Sequence, residues 1–234
     1  MRVLIRADGN KAIGMGHIAR EAELALALGS CGFEVAFLTR SQEPALKKLN
    51  ERGLNAVTID ERMNRTQEEN AVLEEVKKYK PDLLVLDVFV QYENQFLLAL
   101  KKHARITCCV LDQPEQMDIA CDVVVNGNPV QMQYLYPNHY LVGPTYFMMA
   151  PLFLNLHKKR KVLRKSVKEV IITLGGSDHH DLIFKVLNAL SSRIQSMAVT
   201  VVLGIAFGKE KELANFIAKK KIDVTIMQNV PSRA

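Results

Sequence analysis

The chain lacks the features that would commit it to several common roles. Its four cysteines, Cys31, Cys108, Cys109 and Cys121, have no metal-ligand spacing and form no C-x-x-C pair. That disfavours a zinc site or a dithiol redox centre, and Cys108 and Cys109 sit in an apolar run where buried free thiols are common. No apolar run approaches the roughly 20 residues that span a bilayer. The opening Met1-Arg2-Val3-Leu4-Ile5-Arg6-Ala7-Asp8 carries no signal-peptide pattern, so the cytoplasm is the expected location. Aromatic residues are missing from the one strongly basic block, Lys158-Lys159-Arg160-Lys161 with Arg164, Lys165 and Lys168. Without rings to stack on bases, and without an apolar face at helical spacing, the block reads as a solvated linker. It is not expected to bind nucleic acid or a membrane, despite the net charge of +6.

What is present is an alternation of strand and helix signals. Arg2–Ala7, Glu34–Thr39, Ala56–Ile59, Leu83–Asp87, Ile106–Leu111, Val123–Asn126 and Tyr140–Gly143 read as strands. Helices are predicted over His17–Cys31, Pro44–Arg52, Thr66–Tyr79 and Asn94–His103. Leu83-Leu84-Val85-Leu86 is apolar at consecutive positions, the pattern of a strand buried on both faces of a parallel sheet. The fold class is therefore α/β, with doubly wound parallel sheets. Residues 1–150 form one Rossmann-like domain, 151–167 a basic linker, and 168–234 a second, partial domain of three strands and two helices. So small a unit buries little surface alone, so the second domain reads as incomplete.

In such folds ligands bind beyond the carboxyl ends of the strands, where Asp8, Asp87, Asp112 and Asn126 all fall. The first of these ends leads into Gly14-Met15-Gly16-His17-Ile18-Ala19-Arg20. Gly14 and Gly16 allow close backbone approach to a ligand, and His17 sits in the first turn of a helix, whose dipole favours the neutral imidazole. A neutral imidazole can act as general base, and Asp8, the nearest strand-end carboxylate in sequence, is the candidate to orient it. A turn aspartate bonding its own loop is the alternative for Asp8. Gly14, Gly16 and Ala19 also fit a loose dinucleotide fingerprint. The long lead-in from the strand and the Thr39-Arg40 ending of the second strand argue against it, although Arg40 could face a 2′-phosphate. In the second domain Gly175-Gly176-Ser177-Asp178 ends a strand before a helix and could cradle a diphosphate, or be a plain tight turn.

Taken in order, Arg6-Ala7-Asp8, Ile13-Gly14-Met15-Gly16-His17-Ile18-Ala19-Arg20, Leu86-Asp87, Leu111-Asp112, Cys121–Asn126, Gly143-Pro144-Thr145-Tyr146 and Leu174–Asp178 resemble one family along essentially the whole chain. It is the nucleotide-sugar hydrolase of the pseudaminic acid pathway with its spore-coat polysaccharide relatives. The resemblance implies a two-domain GT-B fold, like that of the lipid II N-acetylglucosaminyltransferase, that binds a UDP-sugar. It implies hydrolysis at the anomeric C–O bond of a UDP-linked 2,4-diacetamido-trideoxyhexose, releasing UDP, with His17 activating water. Gly14, Gly16, Arg20, Asp87, Asp112, Asn126 and Tyr146 are the expected sugar-side contacts, and Gly175, Gly176, Ser177 and Asp178 the nucleotide contacts. No cofactor or metal is expected, and the oligomeric state is open, a monomer included. Ala150 stands where family members usually carry arginine, and Asn229-Val230-Pro231 resembles the lead-in to a Ser/Asn/Glu-bearing segment, so a C-terminal truncation is expected. A transferase using an acceptor alcohol, or a non-catalytic binding subunit, are the other readings.

Overall fold

In the computed structural model every residue is described except 11, 41, 111–117, 129–135, 157, 159–161, 163, 164, 177, 179, 205, 206, 229 and 231–234. The chain divides into two compact units, Met1–Pro151 and Leu152–Ala234.

Unit 1 carries a seven-stranded sheet. Its strands are β1 (Arg2–Ala7), β2 (Glu34–Arg40), β3 (Asn55–Ile59), β4 (Leu83–Asp87), β5 (Ile106–Val110), β6 (Val123–Asn126) and β7 (Tyr140–Val142). Their order is β3-β2-β1-β4-β5-β6-β7, and every recorded pairing is parallel. The chain reverses its direction of winding between β1 and β4, so a crevice opens above their carboxyl ends. The helices α1 (Gly16–Ser30), α2 (Glu43–Glu51), α3 (Arg65–Tyr79) and α4 (Asn94–Leu100) connect the strands.

The apolar β4 sequence is matched by its burial. Leu84 and Leu86 join one core cluster with Val72, Val76 and Leu97, whereas Val85 joins a second with Ile18, Ala22 and Leu49. Successive side chains of one strand thus feed cores on opposite faces of the sheet. Full burial of each such side chain contributes roughly 1.5–3 kcal/mol. α3 is fixed at its start by a capping box, in which the Asn64 side chain accepts from the Gln67 N–H and Gln67 reaches back to Asn64. Cys109 and Cys121 are buried free thiols, and Cys31 is exposed.

Unit 2 begins with α5 (Pro151–Leu156), a short helix within the stretch read from sequence as a linker. Proline at its first position suits a helix start, and the leucines that follow favour helix. Then come β8 (Glu169–Thr173), α6 (Leu182–Leu190), β9 (Ala198–Leu203), α7 (Glu210–Lys220) and β10 (Thr225–Gln228). The sheet order is β10-β9-β8, again parallel. Ile172, Ile183, Leu187, Val201 and Leu213 form its core.

The loops after β8 and β9 touch at Gly204. A Cβ placed there would lie 2.3 Å from the Gly175 carbonyl oxygen and 2.4 Å from that of Gly176. Both contacts are backbone, so no side chain can swing aside. Gly204→Ala is expected to destabilise the protein by about 1–3 kcal/mol, read as a lowered Tm; an unchanged melting profile would contradict the close approach.

Candidate active site

The loop after β1 is held by its own side chains before it reaches the helix. Asn10 Oδ1 accepts from the N–H groups of Ala12 and Ile13 at 2.7 and 2.9 Å, and the Asn10 N–H donates to the Gly14 carbonyl at 3.1 Å. Gly14 has φ +80°, in the left-handed region where glycine is at ease. Gly16 opens α1, and a Cβ there would meet nothing within 4 Å, so the helix start has room beside it. Met15 at the N-cap makes no side-chain bond to the first turn, which contains no acidic residue.

His17 follows at once. Its Nδ1 lies 2.7 Å from Asp87 Oδ1 at the end of β4. A carboxylate only accepts, so a contact this short places a proton on Nδ1, and in the neutral ring the lone pair is then on Nε2. Arg20, one turn along α1, grips the same carboxylate with two prongs, Nε to Oδ2 at 2.6 Å and Nη2 to Oδ1 at 2.5 Å. Arg20 Nη2 also approaches Nδ1 to 3.1 Å. With the Nδ1 proton directed at Asp87, that approach is a contact and not a second hydrogen bond. Asp87 is fully buried and His17 is 7% exposed. Burial pushes the Asp87 carboxyl up, but the hydrogen bonds and charges of Arg20 and His17 outweigh it and hold the group below its ordinary range.

Asp87, not Asp8, is thus the carboxylate that orients the histidine, and the expectation for Asp8 is corrected. Asp8 is occupied elsewhere. Its oxygens accept from Arg6 Nη1 and Nη2 at 2.6 and 2.7 Å and from the Arg40 N–H at 2.8 Å. Arg6 points inward from β1 and is 0% exposed, so it needs an anion beside it, and the residue two positions on supplies one. The sugar contact expected of Asp87 is corrected in the same way, since Asp87 is 0% exposed and held by His17 and Arg20, whereas the Arg20 side chain remains 23% exposed. Asn126 is also buried, its Oδ1 accepting from the Asn128 N–H at 3.0 Å. The Gly143 N–H donates to the Asn126 carbonyl at 2.8 Å, bringing in the short Pro144–Tyr146 turn, where Tyr146 is exposed. Asp112 and Ser177 lie outside the described residues.

Gly175, at φ +72°, and Gly176 make the turn after β8. Asp178 does not present an open helix start to an anion: its oxygens already accept from the Leu182 and Ile183 N–H groups, each at 2.9 Å. The expected diphosphate contact from the α6 N-terminus is therefore corrected, because the helix has its own carboxylate there. No group of three or more His, Cys, Asp or Glu that could hold a metal occurs among the described residues. Among them, too, no helix is long and apolar enough to cross a membrane.

Four residues escaped the sequence reading. Phe89 and Val90 lie in the loop after β4 and are exposed, and the Phe89 ring meets the His17 ring edge-on, with 6.4 Å between centroids. An exposed aromatic ring thus stands beside the buried histidine. Glu68 and Tyr92 complete the Arg6 cluster. Glu68 accepts from Arg6 Nη2 at 2.8 Å, from Arg40 Nη2 at 2.5 Å and from the Tyr92 O–H at 2.7 Å. The sequence signal was Arg6 itself, a charge inside a buried strand, which must have a partner.

Comparison with known proteins places this geometry. No family model matches the chain. It is 29% identical over 250 residues to the uncharacterized protein MJ1062 of Methanocaldococcus jannaschii, covering 100% of this chain and 49% of that protein. It is 28% identical over 227 residues to the spore coat polysaccharide biosynthesis protein SpsG of Bacillus subtilis, covering 94% and 64%. The chain therefore spans between about half and just under two thirds of these relatives. Among solved structures it resembles a glycosyltransferase from Rickettsia africae, with TM-score 0.62, 13% identity, and coverage of 98% of this chain and 68% of that one. It also resembles Anabaena Alr3699/HepE in complex with UDP-glucose, with TM-score 0.58, 11% identity and coverage of 98% and 69%. The likeness is one of fold: a seven-stranded parallel α/β unit followed in the chain by a three-stranded parallel one.

The Arg6 cluster makes stability depend on acid. Burial raises the Glu68 carboxyl, but Arg6, Tyr92 and Arg40 together bring it down to about 2 from an ordinary 4.5. A folded-state value below the unfolded one stabilises the protein fully above pH 4.5, and the contribution is lost as pH falls through about 2. Glu68→Gln should destabilise the protein at neutral pH by about 3 kcal/mol, and the gap to the unaltered protein should narrow on acidification. Urea unfolding curves that stay parallel from neutral to acid pH would contradict this.

Proposed function

We propose that the chain is the catalytic part of a nucleotide-sugar enzyme of polysaccharide biosynthesis, and that it breaks the anomeric C–O bond of a UDP-sugar using water. One observation carries the reading: His17 Nδ1 lies 2.7 Å from a buried carboxylate at the carboxyl end of the central strands. That arrangement leaves Nε2 as the proton acceptor and gives the imidazolium formed in the reaction a fixed counter-charge. As Nε2 takes the proton, the water oxygen bonds to the anomeric carbon and the C–O bond to the diphosphate breaks. The electron pair leaves with UDP.

The spore-coat role in the name of SpsG and the UDP-glucose complex of HepE support the choice of substrate class. The sequence resemblance supports a UDP-linked 2,4-diacetamido-trideoxyhexose as the particular sugar. The nucleotide is assigned to unit 2, with the Gly175-Gly176-Ser177 turn at the diphosphate and Asp178 shaping that turn from the helix. On the sugar side, Gly14 and Gly16 give backbone access, Asn126 ends β6 and Tyr146 lies in the turn after β7, and Asp112 is assigned to the same side from the sequence resemblance alone. The enzyme works in the cytoplasm, where UDP-sugars are made, without metal or cofactor.

A second reading, transfer to an alcohol, is favoured by the glycosyltransferases that share the fold, and it uses the same base. Release of UDP from UDP-sugars separates the two. A hydrolase releases UDP in buffer alone, whereas a transferase requires an added acceptor. His17→Ala should lower turnover by roughly 10²–10⁴-fold while UDP still raises the Tm; turnover undiminished in that variant would refute the role of His17.

A further inference from the structure

His17 and Glu21 lie four residues apart on α1, one above the other on a single face. Glu21 is 0% exposed in a stripe otherwise made of Ile18, Ala22 and Ala25. Neither of its carboxyl oxygens has a hydrogen-bond partner as an ionised group, whereas a protonated Glu21 has the Asp87 carboxylate within hydrogen-bonding reach. The groups that face it are Asp87 from β4, Cys108 from β5 and Arg20 from its own helix. Arg20 is the one cation among them, and both of its prongs are already on Asp87. An ionised carboxylate in this place would be a buried charge beside a second carboxylate with no cation to itself, a state that buried groups avoid by taking up a proton.

We infer that Glu21 is a positioning residue for the His17–Asp87 couple: a neutral carboxylic acid behind Asp87, which leaves Asp87 as the couple's single negative charge. This rests on the reading of His17 as base. Its consequence is a charge balance. With Glu21 neutral, one carboxylate meets one guanidinium, and the proton that His17 accepts during turnover is the only charge added. With Glu21 ionised, two carboxylates repel each other across the same space, and Arg20 is drawn between them. Asp87 then loses the fixed geometry that presents Nε2.

The direction of the titration agrees. Burial first, then the charge of Asp87 and a hydrogen bond to it, push the Glu21 carboxyl well above its ordinary value, and Arg20 only partly opposes them. Cys108 feels the same surroundings: burial, with Glu21 and Asp87 nearby, pushes its thiol up to about 12. It therefore stays neutral beside Glu21 through the working range.

The test uses the whole chain with carbon-13 in its glutamate carboxyl groups. Assigned by its loss in Glu21→Gln, the Glu21 signal should be that of a protonated acid at neutral pH and should titrate only well above the other glutamates. An ionised signal at neutral pH overturns the proposal whatever the substrate proves to be, so its failure is separable from a failure of the proposed reaction. The kinetic arm is the pH profile of UDP release. Glu21→Ala should lower kcat roughly tenfold, and Glu21→Gln should restore most of that loss. The fall in activity at high pH that tracks the Glu21 signal should be missing from Glu21→Gln. Should Glu21→Ala fail to fold, the profile of Glu21→Gln still decides: a basic limb identical to that of the unaltered protein overturns the proposal.

Discussion

A single buried carboxylate, Asp87, sets the geometry of the site. It stands at the end of a strand, Leu83–Asp87, packed on both faces and paired on both edges, and the sheet gives it little room to move. Two side chains of α1 converge on it, His17 at 2.7 Å and Arg20 through two prongs. The helix that carries the histidine is thereby tied to the strand next to the one it follows, across the point where the sheet changes direction. Arg20 offsets the charge that burial would otherwise remove, so Asp87 stays ionised and can hold the imidazole in one tautomer. The opposing terms are unequal: desolvation is the largest single influence on Asp87, but no one partner has to overcome it alone.

A second charged cluster lies at the end of the neighbouring strand and does different work. Arg6, Asp8, Arg40 and Glu68 carry two charges of each sign, and the phenol of Tyr92 closes the set. Its members come from β1, β2, α3 and the loop after β4, so it fastens four elements at the edge where the candidate site lies. Buried pairs of this kind add little over apolar packing, yet they fix one arrangement, because any misplacement strands a charge. That division leaves one carboxylate, Asp87, at the histidine and another, Asp8, within the framework. Their exchange of roles relative to the sequence reading follows from where Arg6 points.

Much of the architecture was legible in the sequence because it depends on local pattern. The consecutive apolar run Leu83–Leu86, the Ala- and Leu-rich stretch after His17 and the alternation through residue 150 sufficed for a parallel α/β sheet with a second, smaller one. The element that pattern could not resolve was α5, whose leucines sit beside proline and a basic block. The candidate site was legible only as a set of strand ends. Proximity in sequence favoured Asp8 as the partner of His17, but in a parallel sheet β4 pairs with β1 across 80 residues of chain, as the Asp82 contact with Arg2 shows. Asp178 was misjudged for a related reason: a carboxylate ahead of a helix occupies the N–H groups that an outside anion would need. Glu21 had a signal that went unread, an acid inside an apolar helical stripe.

The tautomer of His17 decides what the site can do, and nitrogen-15 NMR of the imidazole reads it directly in the unaltered chain and in Asp87→Asn. The predicted spectrum has the proton on Nδ1 and the lone pair on Nε2, and Asp87→Asn should disturb that assignment. A proton resident on Nε2 in the unaltered protein, or a spectrum indifferent to Asp87, would contradict it.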